Sequence, residues 1–178
     1  RIAHQAENLQ AQIARWIGTD EPQSALLLSP PGYGKTTLLR EWVRYFSDRG
    51  FTAAIADERS EIAALADGVP QLAVGRCTDV MEGCSKWQAA VMLLKTMSPD
   101  LLALDEITAP EDAKAVSLCT HCGTAVIACA HAAGLDDLRQ RPIYRELLAL
   151  GAFHQAVIIE KQDGQRVYRM ERWEETKC

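Results

Sequence analysis

The sequence has no surplus of positive charge and no long apolar run. Its 19 Lys and Arg residues are outnumbered by 24 Asp and Glu residues, which gives a formal net charge of −5 at pH 7. Such a chain has no general attraction to nucleic acid or to an anionic lipid surface, so we expect no nucleic-acid partner. No apolar stretch approaches the roughly 20 residues that a bilayer-spanning helix needs, so we also expect no membrane span.

The cysteines lack the pattern of a disulfide framework or of a zinc site. Cys129 lies in an apolar run typical of a core strand, and a chain of 178 residues buries enough surface without cross-links. Cys119 and Cys122 have C-x-x-C spacing, but no second pair of ligands follows at a zinc-finger spacing. We therefore expect reduced thiols in a cytoplasmic protein, with Cys119 and Cys122 buried on one face of a helix.

The sequence begins at Arg1, with neither an initiator Met nor a signal-like apolar segment. No internal repeat, low-complexity tract or long linker divides the chain. Its length fits one α/β domain. We expect residues 1–178 to form a single domain that is a C-terminal fragment of a longer protein.

Apolar strand-like runs alternate with amphipathic segments along most of the chain. Strands are predicted at residues 25–28, 52–56, 101–104, 124–130 and 156–159, and helices at 1–17, 36–47, 86–97, 111–122 and 143–150. The pair Asp163-Gly164 predicts a C-terminal hairpin between residues 157–160 and 166–170. This alternation predicts an α/β fold in which a mostly parallel sheet is covered by helices on both faces.

The segment SPPGYGKTT, residues 29–37, has the composition of a phosphate-binding loop. It follows an apolar strand and opens an amphipathic helix, the order found in a P-loop NTPase of the RecA- or AAA-like kind. Its glycines permit backbone conformations in which successive N–H groups face phosphate oxygens, and the helix adds the positive end of its dipole. The predicted nucleotide-binding residues are Pro31, Gly32, Tyr33, Gly34, Lys35, Thr36 and Thr37.

Individual roles follow from the side-chain chemistry of this loop. Lys35 is predicted to reach the β- and γ-phosphates, and the Thr36 hydroxyl to ligate Mg²⁺. Thr37 is a candidate for the α-phosphate. Ser29 stands where the loop consensus has its leading Gly, so a slightly different turn out of the strand is expected there.

A second acidic strand, LLALDE at residues 101–106, ends in two carboxylates. Ligands of an open parallel sheet lie at the carboxyl ends of its strands, beside the loop that follows the first one. Asp105 is therefore predicted to hold Mg²⁺ through water, and Glu106 to polarise the attacking water.

Four blocks of the sequence carry a more specific signal than the loop alone. They are IADERSEI, which contains Asp57, Glu58 and Glu61, followed by GRCTDVMEGCSK, LLKTMSPDLLALDEI and AVIACAHA. In this order they resemble the stage III sporulation protein AA family over residues 24–159. That family comprises mother-cell ATPases of endospore-forming bacteria and is related to the ring ATPases of type II and type IV secretion.

The resemblance implies an ATPase that uses ATP and Mg²⁺ as a homohexameric ring. It further implies a cytoplasmic location peripheral to the inner membrane, and service to the membrane proteins of a secretion-like channel between mother cell and forespore. The choice of ATP over GTP rests on this resemblance. So does the expectation of a further N-terminal domain.

Positions that match the family pattern carry implied roles. Glu58 and Glu61 match an acidic box between the two nucleotide motifs, and His131 matches a histidine that senses the γ-phosphate. Arginines in matching blocks are candidates to stabilise the transition state from a neighbouring subunit, or are surface ion pairs: Arg59, Arg76 and Arg141. Ser29, Cys122 and Cys129 depart from the family pattern.

Two other functional classes are compatible with the loop. One is a nucleotide-gated assembly module with little hydrolysis, and the other is a small-molecule kinase. The adjacent carboxylates Asp105 and Glu106 favour hydrolysis. No Arg-rich lid or pocket for a second substrate is evident, which argues against the kinase.

Overall fold

The structure is a computed structural model that describes residues 2–17 and 20–173, with the side chains of residues 9–17 and 20–173. The predicted helix start at Arg1 and the thiol of Cys178 lie outside the described residues. Helices and strands alternate along the chain: α1 Ile2–Ile17, β1 Ala25–Leu28, α2 Lys35–Ser47, β2 Ala53–Asp57, β3 Leu65–Ala66, β4 Val69–Pro70, β5 Thr78–Glu82, α3 Lys86–Met97, β6 Leu101–Glu106, α4 Pro110–His121, β7 Ala125–Ala130, α5 Leu135–Arg139, α6 Pro142–Ala149, β8 Gln155–Gln162 and β9 Gln165–Arg172.

Seven strands form one sheet in the order β5-β2-β6-β7-β1-β8-β9. Every neighbouring pair is parallel except β8 and β9, which form the antiparallel hairpin predicted from Asp163-Gly164. The carboxyl ends of β1, β6 and β7 therefore meet at one edge of the sheet, with β7 between the other two. This edge receives the loop that follows β1.

Helices cover both faces of the sheet, as the alternating pattern predicted. Alternate residues of the buried strands enter opposite cores. In β1, Leu26 and Leu28 pack in the core that contains α3, α4 and α6, and Leu27 packs in the core that contains α1 and α2. Trp42 and Phe46 of α2 are fully buried in the second core. Burial of Phe46 alone stabilises the fold by roughly 1.5–3 kcal/mol.

The predicted elements lie within a few residues of those observed, and α3 begins and ends where predicted. Its start is fixed by a capping box in which the Ser85 side chain and Gln88 satisfy each other's backbone N–H. The short strands β3 and β4, the edge strand β5 and the five-residue helix α5 were not predicted. Among the described residues, no helix combines the length and apolar character needed to cross a membrane.

The prediction that Cys119 and Cys122 are both buried is wrong for Cys122. Helix α4 ends at His121, and Gly123 follows with φ 75°, a left-handed conformation that favours glycine. This turn leaves Cys122 exposed, while Cys119 stays buried inside the helix. Cys129 is buried in β7, as its apolar surroundings in the sequence predicted.

These positions predict which thiols react in the native protein. Burial raises the pKa of the Cys119 thiol to about 12 and raises that of Cys129 as well, so neither forms an appreciable amount of thiolate at pH 8. We expect a maleimide to label exposed Cys77 and Cys122 but not Cys119 or Cys129, as measured by mass spectrometry of the peptides. Labelling of all four in denaturant is the control. Rapid native labelling of Cys129 would contradict the described core.

Candidate functional site

The loop at residues 29–34 joins β1 to α2 at the carboxyl edge of the sheet. Gly32 has φ 76° and Gly34 has φ 95°, both in the left-handed region where other residues are strained. Gly34 is the N-cap of α2 and supplies no side-chain acceptor, so no side chain caps the first N–H groups of the helix. Such N–H groups, at the positive end of the helix dipole, are suited to binding an anion.

Lys35 is the first residue of α2, and its side chain folds back onto the loop. Its Nζ donates to the backbone oxygen of Ser29 at 2.9 Å and to that of Pro30 at 3.3 Å. The ammonium is buried, and burial lowers the pKa of Lys35, an effect that the acidic groups around it oppose only in part. The loop carbonyls therefore hold a cation that has lost much of its hydration.

Ser29 stands where the loop consensus has Gly. It is fully buried, and its side chain also lies close to the Lys35 ammonium. Its hydroxyl oxygen lies 3.3 Å from Lys35 Nζ and donates to the Pro30 oxygen at 2.8 Å. A glycine at this position has no hydroxyl. The substitution thus adds an oxygen acceptor near the lysine.

His131 links the lysine to the second acidic strand. It directly follows β7, and its Nδ1 lies 2.6 Å from Lys35 Nζ while its Nε2 lies 3.0 Å from Glu106 Oε2. An ammonium group can only donate, so Nδ1 accepts from Lys35 and the imidazole proton of the neutral ring is on Nε2, which donates to Glu106. The structure therefore joins three predicted site residues in one hydrogen-bonded chain.

The two carboxylates of β6 differ in their surroundings. The pairing of β6 with β7 shifts register between Leu104 and Glu106, which makes a bulge at Asp105. Asp105 is buried, and its carboxylate accepts no hydrogen bond from the described residues. The Glu106 carboxylate, in contrast, accepts a hydrogen bond from His131. At the start of α2, Thr36 is half-buried and Thr37 is exposed.

The carboxylates at the end of β2 and just after it differ in burial. The Asp57 carboxylate is fully buried and accepts the backbone N–H groups of Glu61, Ile62 and Ala63, which fixes the path of the chain there. Glu58 and Glu61 are exposed, in contrast. The carboxylate of Asp57 is therefore committed to the fold.

Glu58 has an ion-pair partner that the sequence did not predict. Lys86, the first residue of α3, is buried, and its Nζ lies 2.8 Å from Glu58 Oε2 and 3.3 Å from Asp112 Oδ2. Burial by itself lowers the pKa of Lys86, but Glu58 and Asp112 outweigh that effect and the pKa is raised. Asp112 also accepts from the backbone N–H groups of residues 108 and 109 at the start of α4.

The three candidate arginines lie on the surface. Arg59, Arg76 and Arg141 are all exposed, and Arg141 pairs with Asp137 at 3.3 Å. Among the described residues, no hydrogen bond or ion pair connects any of the three to Lys35 or Glu106 within this chain.

Comparison with known proteins agrees with the resemblance carried by the sequence blocks. The family model for sporulation stage III, protein AA, matches residues 1–170. Stage III sporulation protein AA of Bacillus subtilis (strain 168) is 33% identical over 169 residues, which cover 92% of this chain and 55% of that protein. This chain therefore spans about half the length of that relative.

Solved structures of secretion-type ATPases share the fold. The VirB11 ATPase of the Brucella suis type IV secretion system, in complex with sulphate, matches 96% of this chain and 52% of its own with a TM-score of 0.62 and 15% identity. The pilus retraction motor PilT with bound ADP matches 86% of this chain and 48% of its own, also with a TM-score of 0.62 and 15% identity. The predicted P-loop NTPase fold, with its mostly parallel sheet covered by helices, is thus confirmed.

The position of Asp57 predicts a structural role that can be measured. Asp57→Ala leaves three backbone N–H groups without their acceptor, so we expect it to lower the free energy of unfolding by about 2–4 kcal/mol in urea titrations. Asp79→Ala is the matched control, because Asp79 is exposed on the neighbouring edge strand β5. We expect a change within about 0.5 kcal/mol for that variant. Equal stability of the two variants would contradict the role given to Asp57.

Proposed function

The chain belongs to the sporulation stage III protein AA family, and from this membership and the site geometry we propose that it binds and hydrolyses ATP. The observation that carries the proposal is the chain of contacts from Lys35 through His131 to Glu106, located at a glycine-containing loop that opens a helix. A candidate phosphate-binding cation and a candidate base are thereby held on the two sides of one imidazole ring. Both are needed for transfer of a phosphoryl group to water.

The proposal of nucleotide binding rests on the contacts that Lys35 makes in the structure. Its ammonium is held by neutral acceptors, the carbonyl oxygens of Ser29 and Pro30. Phosphate oxygens carry the negative charge that these carbonyl oxygens lack, so they attract the ammonium more strongly and compete well for this lysine. The uncapped N–H groups that begin α2 supply further donors. The shared fold with PilT, whose structure contains ADP, supports this assignment.

The residues at the site fit a magnesium ion. Asp105 is a buried carboxylate that accepts no hydrogen bond from the described residues, and Thr36 places a hydroxyl at the start of α2. Oxygen ligands of this kind are what Mg²⁺ prefers. When bound, the ion neutralises charge on the phosphate oxygens.

Hydrolysis requires a group that orients and deprotonates water, and Glu106 is the residue proposed for this role. The water oxygen forms a bond to the γ-phosphorus as the bond from that phosphorus to the β-phosphate oxygen breaks, and the water proton passes to Glu106. A γ-phosphate that draws Lys35 away from His131 frees Nδ1 of that ring, which can donate to a phosphate oxygen once it carries a proton. His131 would then report the presence of the γ-phosphate to Glu106.

The wider function is proposed from the family. We propose that the 178 residues are one ATPase domain of a longer cytoplasmic protein. It assembles as a hexameric ring at the inner membrane and energises a secretion-like channel complex between mother cell and forespore. Glu58, held by Lys86, belongs to the acidic box, and Arg141, Arg59 or Arg76 would act on the nucleotide of a neighbouring subunit. Their exposure leaves these arginines available at a subunit boundary.

A second candidate is a nucleotide-gated assembly module that hydrolyses little ATP. The observation in its favour is that His131 already donates to the Glu106 carboxylate, which reduces the capacity of that carboxylate to accept a water proton. The two candidates share the binding step and differ only in turnover.

Two variants test the proposed function and separate these candidates. We expect Lys35→Ala to abolish detectable ATP binding in calorimetry, because the phosphates lose their main side-chain cation. We expect Glu106→Gln to retain ATP binding but to slow phosphate release by about 100-fold or more, because an amide does not accept the water proton.

Exposed residues supply the matched controls, with Lys95→Ala for the lysine and Glu111→Gln for the carboxylate. Both are expected to behave as the unsubstituted protein. Tight ATP binding by Lys35→Ala would refute the site, and negligible phosphate release by the unsubstituted protein would favour the assembly module.

A further inference from the structure

The β8–β9 hairpin extends over the loop that follows β1. Strand β8 is parallel to β1, and their pairing ends at Leu28 and Ile158. Strand β8 nevertheless continues to Gln162 before the chain turns and returns as β9 from Gln165. The overhanging part of the hairpin is therefore at the carboxyl edge of the sheet, where residues 29–34 lie.

Two cations of this hairpin contact the loop. A Cβ atom built on Gly34 would lie 2.9 Å from Cζ of Arg166 and 3.1 Å from its Nε and Nη2, so the guanidinium is packed directly against this glycine. Lys161 Nζ lies 4.5 Å from the centre of the Tyr33 ring. The φ of 95° at Gly34 favours glycine, and the absence of a side chain there leaves room for the Arg166 guanidinium.

Arg166 brings a positive charge to the loop, and no acidic residue of the hairpin pairs with it among the described residues. Arg166 makes no ion pair among the described residues, whereas Arg169 on the same strand pairs with Glu160 and with Glu171. The Arg166 guanidinium lies against the residue that caps α2, whose first turn carries positive partial charge. The Arg166 guanidinium and the positive end of α2 therefore repel each other unless an anion binds between them.

We propose that Arg166 is a nucleotide-binding residue supplied by the hairpin of the same chain, which binds phosphate oxygens of the di- or triphosphate in the loop. The inference rests on the proposed nucleotide binding and adds to it a second side-chain cation besides Lys35. The planar guanidinium can donate to two phosphate oxygens at once, which a lysine ammonium does less well. The bound phosphates then neutralise the charge that Arg166 brings to the start of α2.

The test compares Arg166→Gln, Arg166→Lys and the control Arg169→Gln, which removes the same charge from the same strand. The probes are Mg-ADP and Mg-ATP carrying a fluorescent ribose label, titrated with purified protein at fixed salt. We expect the dissociation constant of both probes to rise about tenfold to a hundredfold in Arg166→Gln, the effect of losing a charged hydrogen bond. Arg166→Lys should show a smaller rise and Arg169→Gln none.

The outcomes separate this inference from the proposed function. If Arg166→Gln binds both probes as tightly as the unsubstituted protein while Lys35→Ala binds neither, the role of Arg166 is wrong and the nucleotide site stands. If the unsubstituted protein binds neither probe, the proposed function itself is wrong. Circular dichroism checks that each variant is folded, and Arg166→Lys decides the matter should Arg166→Gln unfold.

Discussion

Burial of the Lys35 ammonium is the constraint on which the candidate site depends. A cation that is only 7% exposed has lost most of its water and needs acceptors on several sides. The first two are backbone oxygens of the loop itself, at Ser29 and Pro30, and the third is the imidazole of His131. Each of these acceptors is neutral, so the lysine is held in place but remains short of negative charge.

The parallel sheet is what brings these groups together. Strand β7 lies between β1 and β6, so the residue that follows β7 is placed between the loop after β1 and the carboxylates that end β6. His131 is that residue, and its two ring nitrogens contact Lys35 on one side and Glu106 on the other. A change at the lysine can therefore reach the carboxylate through this ring, and the proposed hydrolysis would use that contact to couple nucleotide binding to chemistry.

Local sequence patterns predicted the fold and the loop well, since an apolar strand, a glycine-containing turn and an amphipathic helix are each short-range features. The Asp163-Gly164 hairpin was predicted for the same reason. Strand β5 was missed because TDVME lies at the sheet edge and its residues are exposed or only half-buried. The Lys35–His131 contact joins residues far apart in sequence, and the sequence blocks implied a phosphate-sensing histidine without showing that contact.

Other contacts of the site could not be predicted from the sequence. The acceptor role of Asp57 depends on backbone N–H groups of the loop that follows it, and the ion pairs of Lys86 depend on how α3 and α4 pack. Arg166 belongs to a hairpin that was predicted, but its position against Gly34 follows from how far β8 runs beyond β1. Such contacts depend on the relative placement of whole elements and not on residue spacing.

The central claim is that Lys35 exchanges the loop oxygens for phosphate when nucleotide binds. A crystal structure of the protein with Mg-ADP tests this most directly. We expect Lys35 Nζ about 3 Å from an oxygen of the β-phosphate, with its contacts to the Ser29 and Pro30 oxygens broken. An ADP molecule bound elsewhere, with Lys35 still on the loop oxygens, would contradict it.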